Sequence, residues 1–308
     1  MQTEIILETK NLSKKFGNVL ALDNVSVTLK KNHVYGFIGE NGAGKSTFMK
    51  IISGLAFPTS GEFELMGQSD PKQIERMRKN VGTMIELPAL YPGYTIRQNV
   101  ELQRIIVGNP DASVTDRVIE MVGLENDKNK KAKNLSMGMK QRLGIAIAMV
   151  GNPKLLILDE PINGLDPKNI VALRNLLKKL SEENDVTIFV SSHILSELFL
   201  LATDFIFIHK GRIIERATHE EIEEKCSQYV SIKTENMPET VTTLEKDFPE
   251  LEYKVIADDA IKVFAKPEIK TDISRSLMKA GIVITELSVK EQTLEEYFMT
   301  ITGGNENA

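Results

Sequence analysis

A chain of 308 residues with 42% hydrophobic and 26% charged side chains has the composition of a globular protein, with length for one large domain and a small one. Acidic residues outnumber basic ones to a formal charge of −5. That balance argues against nucleic acid as the main partner, because such affinity rests on clustered Lys and Arg.

The opening residues, MQTEIILETK, lack the basic-then-apolar order of a secretion signal. Short antiparallel strands are expected at residues 5–9, 25–29 and 62–65, with turn residues between them. Residues 34–38 form an apolar run ending in glycine, followed by a helix from Lys45. The runs at 155–158 and 187–190 are continuously apolar, as strands buried on both faces are. Residues 89–135 are mainly polar and helix-forming, with loops at 108–110 and 125–134. Together with the apolar helix that follows, they predict a helical insert over about 89–150. No apolar stretch approaches the roughly 18 residues that span a bilayer. The longest candidate, 195–208, is broken by Glu197 and Asp204. A cytoplasmic protein is expected, one that reaches any membrane through a partner.

Beyond Arg216 the pattern changes, and the expected division is 1–218 and 219–308. A charged helix at 219–225 precedes a strand at 229–233, a helix at 238–247 and strands at 253–256 and 261–264. A helix at 269–280 and a half-exposed strand at 282–289 complete a β-α-β-β-α-β order, which suggests a small ferredoxin-like α+β domain. Leu294, Tyr297 and Phe298 share one face of a short terminal helix, for docking on the chain or, alternatively, on a partner. The last residues, GGNENA, read as a frayed tail. Cys226, the single cysteine, can form no disulfide within the chain and reads as an inert thiol.

The chemistry is concentrated in a few motifs. Gly39-Glu-Asn41-Gly42-Ala43-Gly44-Lys45-Ser46-Thr47 is a complete G-x-x-x-x-G-K-[ST] between an apolar strand and a helix. Its glycines let successive N–H groups turn toward phosphate oxygens, and the following helix aims its positive end at the same anion. Lys45 adds a point charge, and the Ser46 hydroxyl is a Mg²⁺ ligand candidate. The run at 155–158 ends in two adjacent carboxylates. Asp159 can hold Mg²⁺ and Glu160 can orient an attacking water.

The third motif is Leu135-Ser136-Met137-Gly138-Met139-Lys140-Gln141-Arg142. Ser136 is a good N-cap for the helix behind it, and spacing alone fits an ordinary capped helix as well as an anion site. With the other two motifs it resembles the LSGGQ signature of the ABC ATPases, with methionines in the third and fifth places. The resemblance covers residues 1 to about 218. It implies an α/β phosphate-loop NTPase with a mixed sheet core, an antiparallel β subdomain and the helical insert. It also implies ATP with Mg²⁺ and a head-to-tail homodimer or heterodimer, in which Ser136 and Gly138 cover the γ-phosphate held by Lys45 of the second subunit. Phe16 resembles the residue that stacks on adenine, Gly164-Leu165-Asp166 the loop that crosses the dimer interface, and His193 the histidine that contacts the γ-phosphate. Glu160, His193 and Lys45 would carry catalysis.

Where most of the family has glutamine, Val81-Gly-Thr-Met-Ile-Glu86 carries glutamate. A carboxylate only accepts hydrogen bonds and brings a charge, which near Mg²⁺ would strengthen coordination. This glutamate and the form of the signature resemble the subgroup that exports bacitracin-type or lantibiotic peptides. An ATPase subunit on the inner face of the membrane, driving separate integral membrane permease subunits, is the implied function. The alternatives are an exporter of another substrate and, further off, a soluble ABC ATPase outside transport.

Overall fold

The computed structural model describes residues 4–226, 228–256, 260–265 and 267–303. The chain divides into two compact units, Met1–His219 and Glu220–Ala308.

The first unit contains two sheets. One is antiparallel: β1 (Ile5–Phe16) lies between β2 (Val19–Val25) and β3 (Thr28–Lys30) and also pairs with β5 (Ser60–Leu65). The single strand expected at 25–29 is two strands. Asn24 turns into the left-handed region at φ 52°, and the Val27 N–H bonds to Thr9 Oγ1, so the pairing with β1 is interrupted between Val25 and Thr28. The second sheet has the order β10-β9-β4-β8-β7-β6. Its strands β4 (Val34–Ile38), β6 (Val81–Met84), β7 (Leu155–Asp159), β8 (Thr187–Ser192) and β9 (Asp204–His209) are parallel. Only the edge strand β10 (Arg212–Thr218) runs antiparallel, against β9. All residues of β4, β7 and β8 are buried, which explains the apolar runs at 34–38, 155–158 and 188–190, while the polar residues Asp159, Ser191 and Ser192 close the strands.

Helix α1 (Lys45–Ile52) buries Phe48, Met49, Ile51 and Ile52 in the core shared by the two sheets. Phe37, Phe48 and Phe189 meet there with ring centroids 5.1–5.9 Å apart. The short α2 (Pro71–Met77) is capped by Asp70. Helix α6 (Pro167–Asn184) turns Leu173, Leu176, Leu177 and Leu180 inward, and α7 (Leu195–Phe199) follows β8.

The helical insert contains α3 (Ile96–Ile106), α4 (Ser113–Met121) and α5 (Met137–Met149), which pack on one another. Thr95 and Gln98 close a capping box at the start of α3. The buried Asn99 accepts from the Tyr91 N–H and donates to the carbonyls of Tyr91, Tyr94 and Thr95, which ties the entry loop to the helix. Glu101 joins α3 to α4. It takes a two-pronged bond from Arg104 at 3.0 and 2.7 Å and a third from Thr115 at 2.7 Å.

The second unit begins with α8 (His219–Lys225), which straddles the division, and continues with β11 (Gln228–Thr234), α9 (Met237–Asp247), β12 (Glu252–Ile256), β13 (Ala260–Phe264), α10 (Lys270–Lys279) and β14 (Ile284–Glu291). The antiparallel order β12-β13-β11-β14 is that of a ferredoxin-like fold. Helices α9 and α10 cover one face through Leu244, Ile273 and Leu277. The terminal helix α11 (Leu294–Ile301) buries Leu294 and Phe298, and Lys225 sits over the Tyr297 ring. Cys226 is half-buried, and burial with the nearby Glu295 and Glu296 pushes its thiol up to about 11, which leaves it protonated and unreactive. Of the tail expected to fray, residues 304–308 lie outside the described residues. Among the described residues no helix is long and apolar enough to cross a membrane.

The Glu101 cluster gives a stability prediction. Arg104 and Thr115 hold this carboxyl down to about 2, so its contribution is fully present above the ordinary glutamate value and is lost as pH falls toward 2. Glu101→Gln is expected to lower the thermal midpoint at pH 7, and the gap to the parent should close between about pH 4.5 and 2. Paired thermal melts across that range measure it; a gap constant with pH would rule the mechanism out.

Candidate functional site

The parallel strands place their carboxyl ends side by side. β4 pairs in register with β8 from Val34↔Ile188 to Ile38↔Ser192, and β8 with β7 up to Asp159↔Ser191. Three strand ends therefore open into one crevice, the usual ligand position in open α/β sheets. From β4 comes the loop of Gly39, Asn41, Gly42, Ala43 and Gly44, which runs into Lys45, Ser46 and Thr47 at the start of α1. From β7 come Asp159 and Glu160, and from β8 Ser191, Ser192 and His193.

The loop's glycines are imposed by its path. A side chain starting at Gly39 would lie 2.5 Å from the Ile208 carbonyl oxygen, and one at Gly44 would lie 2.6 Å from that of Ala21. Gly44 also has φ 109°, which L side chains rarely adopt. The loop is thus pressed between β9 and β2, and its curl is held open toward solvent at Asn41 and Gly42.

Lys45 is only 5% exposed. Its ammonium donates to the carbonyls of Gly39 at 2.6 Å and Glu40 at 3.2 Å, and Glu160 Oε1 lies 3.4 Å away. Glu160 adopts φ 52°, an uncommon angle for a non-glycine residue that costs on the order of 1–3 kcal/mol. The strain is held by a neighbouring hydroxyl. Ser191 Oγ accepts from the Glu160 N–H at 2.9 Å and donates to Asp159 Oδ1 at 2.6 Å. The turned Glu160 places Oε2 2.7 Å from His193 Nδ1. Its buried Oε1 accepts no hydrogen bond, because Lys45 approaches off the bonding direction. An acid, an ammonium and an imidazole thus converge beside the phosphate loop.

Asp159 is 2% exposed, and the Ser46 hydroxyl has no partner among the described residues. Among those residues no group of three or more His, Cys, Asp or Glu could hold a metal ion. A divalent cation here would rely on one carboxylate, a hydroxyl and phosphate oxygens, the manner in which Mg²⁺ is usually bound beside a nucleotide.

Glu86 is the remaining metal-ligand candidate of the sequence. It is exposed, at φ 66°, and Lys50 of α1 donates to it at 2.6 Å. That bond and the lysine's charge hold its carboxyl below the ordinary value. The pairing partner lies one turn beyond the phosphate loop and has no signal in a motif. Phe16 ends β1 at a two-residue hairpin with Gly17 at φ 56°; its ring is 53% exposed, with Lys14 4.8 Å from the centroid.

Ser136, Gly138 and Asp166 belong to a different part of the unit. Ser136 caps α5 by accepting from the Met139 N–H at 3.3 Å, and Asp166 caps α6 by accepting from the Asn169 N–H at 3.0 Å. Among the described residues no hydrogen bond or ion pair joins these three to Lys45, Asp159, Glu160 or His193. Sequence reasoning passed over Ser191, Lys50 and Asn169, which act by holding the named residues rather than by matching a pattern.

Gly39→Ala follows directly from the loop geometry. Its Cβ would strike a backbone oxygen that cannot rotate away, so the loop must shift. The variant is expected to lose about 1–3 kcal/mol of stability and at least tenfold in nucleotide affinity. Thermal melts and titration with a fluorescent ATP analogue check both; unchanged affinity would show that the loop accommodates the methyl group.

Residues 22–163 match the family described as ABC transporter. The chain is 35% identical to the bacitracin transport ATP-binding protein BcrA of Bacillus licheniformis over 97% of this chain and 98% of that protein. It is 43% identical to the lantibiotic transport ATP-binding protein SrtF of Streptococcus pyogenes over 68% of this chain and 89% of that one. Among solved structures, the ADP conformation of MJ1267, an ATP-binding cassette of an ABC transporter, superposes with a TM-score of 0.65 at 26% identity, covering 72% of this chain and 94% of its own. The dimeric post-hydrolysis state of the ATP-binding cassette MJ0796, bound to ADP and Pi, gives 0.62 at 29% identity over 69% and 98%. Sustained identity through both units, on a cassette fold with its phosphate loop and acid pair at one sheet edge, makes the chain an ATP-binding, ATP-hydrolysing member of the ABC transporter family.

Proposed function

We propose that this ATPase energises a separate membrane permease and exports a peptide antibiotic of the bacitracin or lantibiotic type, acting as a peripheral subunit on the inner face of the cell membrane. The observation that carries this reading is identity to a bacitracin transport ATP-binding protein along 97% of the chain, the second unit included. A docking surface supports it. Leu87, Tyr91 and Tyr94 follow Glu86 and are exposed, as are Leu55 and Phe57 just after α1, and the Lys50–Glu86 pair ties the two segments together. Exposed apolar side chains on both segments are candidates for an interaction site.

The active assembly in this reading is a head-to-tail dimer, homo- or heteromeric. Phe16 stacks on adenine, the 39–47 loop wraps the phosphates, and Lys45 leaves the Gly39 carbonyl to neutralise them. Asp159 and the Ser46 hydroxyl hold Mg²⁺, which when bound offsets the charge developing on the β- and γ-phosphates. Glu160 orients the attacking water and takes up its proton once Lys45 has turned to the phosphates, and His193 keeps that carboxylate aimed. Ser136 and Gly138, at the positive end of α5, cover the γ-phosphate held by the second subunit, with Asp166 at the crossing loop. Glu86, paired to Lys50, serves the passage of movement from α1 to the permease rather than the metal.

Replacing Glu160 by Gln keeps its shape and removes its basicity. Turnover should fall roughly 10²–10⁴-fold while MgATP still binds, and the protein should run as an ATP-dependent dimer. Tagged Glu160→Gln protein drawn from gently solubilised membranes with ATP is expected to bring a polytopic membrane protein. Recovery of soluble partners alone would leave the ATPase and remove transport.

Glu86→Gln separates coupling from catalysis. ATPase activity should stay within about twofold of the parent, since the change leaves the phosphate loop untouched. Protection of cells against the exported peptide should drop in a growth-inhibition assay. No change in protection would take Glu86 out of coupling.

A further inference from the structure

Gly138 is buried in the first turn of α5, and the space where its side chain would begin is already filled. A Cβ placed there would lie 2.5 Å from both Cγ and Oδ1 of Asn169 and 3.1 Å from its Cβ. Asn169 sits in the first turn of α6, and Asp166 determines where its carboxamide points. The side-chain Nδ2 donates to Asp166 Oδ2 at 2.6 Å, while Asp166 Oδ1 accepts from the Asn169 backbone N–H at 3.0 Å. Both carboxylate oxygens are thus engaged by one residue, and the Asp166 carboxyl is held below its ordinary value by those bonds, the backbone one first.

The contacts form a continuous mechanical line. It runs from the Gly138 backbone, through the Asn169 carboxamide, to Asp166 and the loop of Gly164 and Leu165. Asn169 is half-buried, and its side chain, tied to Asp166 at one end, fills the place beside Gly138 at the other, so a shift of the Gly138 backbone toward it must move it. A shift at the start of α5 is therefore delivered to the 164–166 loop, and the reverse holds equally by linkage.

We propose that Asn169 is a positioning residue that locks the N-terminal turn of α5 to the 164–166 loop, so that the two parts a subunit presents to a composite ATP site move as one. This rests on the dimer reading above, in which Ser136 and Gly138 address ATP held by the second subunit. It also accounts for the one glycine kept in a signature that has exchanged its other small residue for Met137. Gly138 is needed because Asn169 occupies the place of its side chain. A subunit that binds ATP in its own phosphate loop draws on Asp159 and Glu160, four or five residues ahead of the 164–166 loop, and the Asn169 lock passes that state to the α5 end. Binding at the two composite sites is thereby made cooperative.

The test uses the full chain with ATP. Asn169→Ala is expected to raise the KM for ATP about fivefold and bring the Hill coefficient toward one, with a smaller change in kcat. Gly138→Ala alone is expected to lower the thermal midpoint and raise KM, because its methyl group strikes Asn169. Combining it with Asn169→Ala should restore the thermal midpoint at least halfway while KM stays as high as in Asn169→Ala alone, because the clash is relieved but the lock is still missing; a merely structural role for Asn169 would return KM with the midpoint. Unchanged KM and Hill coefficient in Asn169→Ala, or no rescue in the double variant, would overturn the proposal. The dimer is followed separately by gel filtration in the Glu160→Gln background. An ATP-dependent dimer whose midpoint moves about fivefold higher with Asn169→Ala supports the lock. A dimer whose midpoint stays put rejects the lock and keeps the dimer reading. Absence of any ATP-dependent dimer in Glu160→Gln itself rejects that reading, and the lock with it.

Discussion

The level ending of β7 and β8 is the constraint from which the site follows. Their parallel register sets Asp159 opposite Ser191, and one hydroxyl then serves both strands. It donates to Asp159 and accepts from the Glu160 N–H, so it fixes the carboxylate that closes β7 and the backbone turn just after it. Two residues of opposite direction thereby face one crevice, which an extended strand could not arrange, because successive side chains of a strand point to opposite faces. The left-handed angle at Glu160 is strain that this serine holds in place, and strain of this kind is characteristic of sites where geometry matters more than local comfort.

Charge explains the rest of the constellation. An ammonium as deeply buried as that of Lys45 needs partners, since the desolvation of an unpaired cation exceeds what packing returns. The loop supplies two carbonyls and β7 supplies Glu160. Glu160 in turn is shared, one oxygen toward Lys45 and the other on His193. Lys45 and His193 thus meet on one carboxylate beside the phosphate loop.

Much of this was legible in the sequence, and the limits have physical causes. The phosphate loop and the acid pair announce themselves because their chemistry allows few substitutes, and buried strands such as residues 155–158 announce themselves by unbroken apolarity. The helices and strands of the second unit were legible from alternating patterns and clear turn residues. The break between β2 and β3 was not, because it is made by a side-chain bond from Thr9 on a strand sixteen or more positions earlier, which no local window contains. The edge strand β10 and the long α6 carry weaker patterns: β10 alternates half-exposed and exposed residues with arginines and a glutamate, and α6 is mostly polar outside its four leucines. Glu86 shows a different limit. Its motif position was readable, but its partner Lys50 lies on another element, and a carboxylate goes to whichever cation the fold brings near.

The same distinction between side chains that the fold uses and those it leaves alone explains the form of the signature. Ser136 is kept because its oxygen caps a helix whose first N–H groups have no other acceptor, a contribution of about 1 kcal/mol. Gly138 is kept because another helix leaves it no room. Met137 faces outward at 38% exposure, where the backbone asks for no particular residue and a methionine costs the fold nothing. Degeneracy in a motif is therefore not uniform weakening. It falls at the positions where neither the cap nor the packing of the neighbouring helix constrains the chain, and the residues that survive mark where those constraints act.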